Sequence, residues 1–176
     1  MKTVLTVLAA CGGYATLRYN VFKGVAWSEW PVYVFNKVCA LSALVLLMIY
    51  ALRRRRGPAV GGTDLLVPAW LLMLTHVGLS LAILAPAYYA KYFQADKLTW
   101  QAGWSMLLGV VAAVAFHKCT RACELMQATG LLKNVGGIAF VSGLHAALLG
   151  YAGWFDPGAW PGRMVPITLL SFAAGS

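Results

Sequence analysis

Apolar residues along this chain gather in six runs, which cover residues 3–22, 31–52, 65–88, 101–117, 135–154 and 163–176. A helix needs about 20 predominantly apolar residues, with a range of about 17 to 25, to cross the hydrocarbon core of a bilayer. The first five runs reach that range. Pro166 interrupts the sixth, and proline breaks helices, so we predict a half-span or an interfacial helix there.

This pattern predicts an all-α fold, a polytopic membrane helix bundle of six segments that forms one transmembrane domain over residues 1–176. The first residues, MKTVLTVLAACGG, look like a secretion signal, but we interpret them as part of the first membrane helix. The composition agrees, because 61% of residues are hydrophobic and 11% are charged, whereas soluble domains carry roughly 25% charged residues. The six runs leave no stretch for a soluble domain.

Basic residues set the predicted orientation. The run Arg53–Arg56 follows the second apolar segment, and such runs stay in the cytoplasm. With six spans, both termini are then cytoplasmic. The net charge of +9 is explained by these flanking residues, so we do not expect nucleic acid as a partner. Aromatic side chains gather at the opposite side, as expected for a membrane interface: Trp27, Trp30, Tyr33, Tyr88, Tyr89, Tyr92, Trp100, Trp104, Tyr151, Trp154 and Trp160.

Two histidines lie in the middle of apolar runs. His76 lies 11 residues into the run that begins at 65, and His145 lies 10 residues into the run that begins at 135. Both are therefore about 15–17 Å deep at a rise of about 1.5 Å per residue. An ionisable side chain at this depth is costly and indicates function. Two imidazoles at equal depth on different helices favour axial ligation of one b-type haem. The alternative is that each histidine is bonded to a neighbouring helix.

Small residues lie near the histidine pair. Gly78, Gly109 and Gly143 would let a flat ring approach the helices closely. The alternative is helix–helix packing, which small residues also favour in membranes. Thr75 and Ser142 could bond the imidazole N–H groups, or else the carbonyl four residues before them in their own helices.

Lys37 lies near the outer end of the second run. Its side chain either extends to the interface or pairs with an anion such as a haem propionate or a quinone oxygen. His117 ends the fourth run, where we expect an interfacial residue. A metal cluster of His117 with Cys119 and Cys123 would lack a fourth ligand, and the four cysteines show no disulfide framework.

The two His-centred segments, LTHVGLSLAILAPAYYAKYF (74–93) and LHAALLGYAGWFDPGAWPG (144–162), resemble the ferric-reductase-like transmembrane domain superfamily. Its members include ferric reductases, NADPH oxidase cores and the haem-binding subunit of bacterial methionine sulfoxide reductase. The resemblance implies six helices, haem-ligating histidines on the third and fifth, and a place in the bacterial inner (cytoplasmic) membrane.

The chain departs from that superfamily in one respect. Members with two haems carry a second histidine on each ligand helix, but the corresponding positions here are Gly62, Ala90, Leu132 and Gly158. We therefore predict one haem b, and no flavin or nicotinamide domain is present.

These features predict an electron-transfer subunit that is not itself catalytic. It would relay electrons between a quinone or partner protein and a second redox partner in a membrane complex. The alternative is a haem-free structural or assembly subunit of such a complex. A transporter is a third hypothesis, but the internal repeats and broken helices typical of transporters are missing.

Overall fold

The computed structural model describes residues 1–55, 64–124 and 131–176, with the side chains of 122–124, 131–134 and 149 left out. Within these residues the chain is almost entirely helical, which confirms the all-α prediction. The helices are α1 (Lys2–Thr16), α2 (Phe35–Arg55), α3 (Leu66–Ala82), α4 (Trp100–Glu124), α5 (Leu131–Gly150) and α6 (Ile167–Gly175). Two two-residue strands, β1 (Phe93–Gln94) and β2 (Lys97–Leu98), form an antiparallel hairpin before α4.

The helix bounds differ from the apolar runs where backbone chemistry intervenes. Helix α3 ends at Ala82, six residues before the end of its run, because a turn precedes Pro86 and proline disfavours helix in the residue before it. Helix α4 instead continues to Glu124, past its apolar run, since lysine, arginine and glutamate are good helix formers. Helix α6 begins directly after Pro166.

Two helical stretches of the described residues are long and apolar enough to cross a membrane, Trp27–Arg55 and Trp100–Arg121. Two shorter apolar helices are Leu66–Ala82 and Val135–Leu148. By length and composition, the two long stretches correspond to the second and fourth of the six predicted spans.

Helix α2 is the centre of the bundle. It packs against α1, α3, α5 and α6, and α5 packs in addition against α4 and α6. The side chains of α2 are accordingly buried along most of its length, with Leu46, Leu47 and Cys39 fully covered. Helix α3 and helix α4 instead leave apolar side chains between 43% and 60% exposed, among them Leu71, Leu74, Leu81, Leu107, Val110 and Val114.

The arginine end of the bundle brings together the start of α1, the end of α2 and the residues just before α3. At the arginine end, Arg53 donates to Thr3 Oγ1 at 3.0 Å and lies 3.7 Å from Asp64. The opposite aromatic end comprises residues 17–34, 83–100 and 150–166. Arg56 and Gly62 lie outside the described residues, as do the side chains of Cys123, Leu132 and Lys133.

Glycine allows close approach where α5 meets α6 at the aromatic end. A Cβ on Gly150 would overlap the side chain of Thr168, and Thr168 also accepts a hydrogen bond from Trp154 Nε1 at 2.9 Å. Gly153, one turn further along, faces open space.

We expect Gly150→Ala to destabilise the protein by about 1–3 kcal/mol, because the added methyl group must displace Thr168. Gly153→Ala is the matched control and should leave stability nearly unchanged. Thermal unfolding in detergent measures both. Equal melting temperatures for the two variants would contradict this packing.

Candidate functional site

The two mid-helix histidines meet in the structure. The ring centroids of His76 on α3 and His145 on α5 are 6.3 Å apart, with the ring planes at 75°. The equal depth inferred from the sequence therefore corresponds to a spatial pair. Within the described residues α3 and α5 are not packed along their lengths. The two imidazoles therefore meet edge to face from helices that share few other contacts, and both are partly exposed.

His76 is held by a side chain of α2. Its Nδ1 lies 2.5 Å from Asn36 Oδ1, and Ser80 Oγ, one turn along α3, lies 3.4 Å from the same nitrogen. The Asn36 amide nitrogen donates to Ser80 Oγ at 3.0 Å and to Tyr89 Oη at 2.9 Å. Since the nitrogen donates twice, the amide oxygen is the atom that faces His76, and it accepts the Nδ1 proton.

Asn36 is fully buried, and its polar atoms all have partners. A buried amide is stable only when it is hydrogen-bonded. Asn36 therefore fixes the relative positions of α2, of His76 on α3, and of Tyr89 in the loop after α3.

His145 is held by the main chain of α4. Its Nδ1 lies 2.6 Å from the carbonyl oxygen of Ser105, and Ser105 Oγ donates to the His145 carbonyl at 3.1 Å. A carbonyl oxygen only accepts, so the Nδ1 of His145 carries the proton. Ser105 is fully buried.

Gly109 makes the Ser105 carbonyl reachable. In a helix the carbonyl of residue 105 accepts from the amide of residue 109, and it has a second lone pair. A Cβ on Gly109 would lie 3.2 Å from His145 Nδ1 and 3.3 Å from His145 Cε1. The absence of a side chain at 109 therefore lets the imidazole lie against α4 and bond the second lone pair.

The hydrogen bonds assign the same tautomer to both histidines. Each Nδ1 carries a proton and donates it to a fixed oxygen, so each neutral ring has its lone pair on Nε2. In the described part of the chain neither Nε2 has a hydrogen-bond partner. A metal-ligating histidine has this arrangement, with the non-ligating nitrogen bonded to a carbonyl or carboxylate.

The three glycines predicted beside the pair lie in different surroundings. Gly109 contacts His145, as described. Gly143 faces α6, where a Cβ would lie 3.3 Å from the backbone of Phe172. This glycine therefore allows α5 and α6 to pack closely, which was the alternative role predicted for it. Gly78 lies two residues after His76, and a Cβ there would meet no atom within 4 Å.

The two hydroxyl groups predicted as imidazole partners make no such bond. Thr75 donates to the carbonyl of Leu71 at 2.9 Å, the bond within its own helix that the sequence left as the alternative. Ser142 Oγ is buried and has no partner in the described part of the structure. The true partners, Asn36 and Ser105, belong to other helices. A polar residue inside an apolar run, and a serine four residues before a mid-span glycine, are the sequence signals that mark them.

Lys37 lies beside this network at the aromatic end. Its Nζ is 3.4 Å from Tyr89 Oη and lies over the rings of Tyr33 and Tyr89, at 5.0 and 4.7 Å from their centroids. Burial raises the pKa of the Tyr89 phenol, although hydrogen bonds from Ser80 and Asn36 oppose the shift. Tyr89 therefore remains protonated at neutral pH.

His117 is remote from the pair. It is exposed and stacks on Trp70, with ring centroids 5.4 Å apart. No group of three or more histidine, cysteine or acidic side chains lies close enough to hold a metal among the residues described. Cys123 lies outside that set, and a site with two axial histidines does not need a third protein ligand.

No protein-family model, curated protein or solved structure matches this chain.

The two serines near His145 give a matched test of this bonding. Ser105→Ala should cost about 1 kcal/mol of stability, because it removes the bond to the His145 carbonyl. Ser142→Ala should be neutral or slightly stabilising, since it removes a buried hydroxyl that has no partner. Thermal unfolding of both variants in the same detergent measures these effects. If Ser142→Ala lowered the melting temperature more than Ser105→Ala did, the hydrogen-bond assignment would be wrong.

Proposed function

We propose that this chain is a membrane electron-transfer subunit that binds one b-type haem between His76 and His145. The observation that carries the proposal is the shared tautomer of the two imidazoles. Both Nδ1 protons are donated to fixed oxygens, which leaves the Nε2 lone pair available on each of two rings whose centroids are 6.3 Å apart.

The ring separation fits an iron between the two nitrogens. Metal–imidazole bonds are about 2 Å long, and the nitrogen lies about 1 Å from the ring centroid, so two axial ligands place the centroids roughly 6 to 6.5 Å apart. The observed separation is 6.3 Å. Asn36 and the Ser105 carbonyl would orient the ligands, as outer partners do in other metal sites.

The surface of the bundle supports a place in the bilayer. The exposed apolar side chains of α3 and α4 recur at three- and four-residue spacing, so each helix presents one apolar stripe outward. Lipid would cover these stripes. The arginine run at one end and the aromatic belt at the other favour the predicted orientation, with the arginine end in the cytoplasm of a bacterium.

The site would relay electrons rather than activate a substrate. A haem contributes reversible one-electron chemistry, and two axial histidines leave no open iron position for a substrate. This chain's residues would hold the haem between the two histidines and fix the proton on each Nδ1. The ferric-reductase-like superfamily is the family we propose. A quinone or a partner protein would supply or take the electrons.

A haem-free structural or assembly subunit is the second candidate. Aromatic rings also pack directly at centroid separations of 4.5–7 Å, typically edge to face, and the 75° angle between the two imidazoles fits such a contact. In that case the histidines would tie α2 to α3 and α4 to α5. The visible absorption spectrum of the purified protein distinguishes the two candidates, because only the haem-binding subunit would show a b-type band.

The histidine variants test the proposal. Purified wild-type protein, expressed with haem supplied, should give a b-type reduced-minus-oxidised spectrum. His76→Ala and His145→Ala should each reduce bound haem to background, and the double variant should look the same, because the two ligands act as one unit. His117→Ala is the control and should keep the spectrum, since it stacks on Trp70 and not on the pair.

Two results would contradict the assignment. A wild-type protein without a b-type band, under the same conditions, would favour the structural subunit. Loss of haem in His117→Ala with retention in His145→Ala would show that the ligands are misassigned.

A further inference from the structure

Lys37 is a cation without a counter-ion in the described part of the chain. No carboxylate there lies within 4 Å of its Nζ, whose single hydrogen-bond partner is Tyr89 Oη. An ammonium group has three N–H donors. Two tyrosine faces cover part of the charge, but they accept no conventional hydrogen bond. At least two donors of Lys37 are therefore left for an acceptor that the described residues do not provide.

Hydrogen bonds through Tyr89 and Asn36 link the lysine to His76. The Tyr89 hydroxyl oxygen receives hydrogen bonds from both Lys37 and Asn36, and the Asn36 oxygen receives the proton of His76. The ammonium group and the His76 ring are thus separated by two side chains. Lys23, at the same end of the bundle, has a comparable contact with the ring of Tyr19 but is exposed to solvent.

We propose that Lys37 binds a haem propionate and so fixes the propionate edge of the haem toward the aromatic end. This inference rests on the proposed function. A carboxylate satisfies the unfilled donors of the ammonium and supplies the missing counter-charge, and such charge-assisted bonds are stronger than neutral ones. The rings of Tyr33 and Tyr89 flank the ammonium and leave it room for one further acceptor of this kind.

The haem esterified at both propionates separates this role from a structural one. Apo-protein in detergent is titrated with haem b and with its dimethyl ester, and the absorbance of the bound form gives each affinity. Lys37→Met should weaken haem b binding about ten- to a hundredfold, the loss of one hydrogen bond between charged groups. It should leave ester binding within about twofold, because the ester lacks the negative charge. Lys23→Met is the matched control and should change neither affinity.

A second readout is the midpoint potential of the bound haem. Lys37→Met should lower the midpoint potential. The positive charge of Lys37 destabilises the more positive ferric state, so its removal makes the ferric state easier to form. Lys37→Arg should restore haem b affinity in large part, since it keeps the charge.

The outcomes separate this inference from the proposed function. If wild-type protein binds both haems and Lys37→Met binds them as well as wild type does, the propionate assignment is wrong and the haem site stands. Equal weakening of haem b and ester would give Lys37 a structural role and would also overturn the assignment. If wild-type protein binds neither haem, the proposed function itself fails, and the Lys37 inference fails with it.

Discussion

The arrangement of this bundle depends on one requirement, which is that a polar hydrogen among apolar helices must be donated to something. Each imidazole N–H that is left unpaired in such surroundings would cost about 1–3 kcal/mol. The chain meets the requirement twice with different groups, the Asn36 side chain for His76 and the Ser105 main chain for His145. In both cases the oxygen is rigidly held, so the bond determines the tautomer as well as the position of the ring.

The two bonds also explain the plan of the helices around the pair. Helix α2 must carry a buried amide at its aromatic end, and it is the helix with the most neighbours on all sides. Helix α4 must come close enough for its backbone to act as an acceptor, which Gly109 permits. Helices α3 and α5 are then positioned by α2 and α4 rather than by each other.

The sequence predicted the helical class and the six helical segments, because long apolar runs have few other ways to satisfy their backbone groups. It also predicted that His76 and His145 would meet, since equal depth on nearby helices brings side chains together. It did not predict their partners. Thr75 precedes His76 directly and so points to another face of its helix, and Ser142, although one turn before His145, has no partner in the described part of the structure. Asn36 and Ser105 are 40 residues from their histidines, and only the packing of helices brings them into contact.

The helix ends likewise include some that the sequence predicts and some that it does not. Pro86 and Pro166 limit α3 and α6 through local backbone chemistry, which is readable from the sequence. The extension of α4 to Glu124 passes through polar residues that hydropathy alone assigns to a loop. Gly143 could have served either a cofactor or helix packing, and only the position of α6 places it against Phe172.

The central proposal is that the Nε2 atoms of His76 and His145, on imidazoles whose planes are nearly perpendicular, would ligate one iron. Electron paramagnetic resonance of the ferric protein, loaded with haem b and frozen, tests it most directly. Two axial imidazoles at 75° predict a strongly anisotropic low-spin signal. A high-spin signal would show that one axial histidine is not bound, and it would contradict the pairing of His76 with His145.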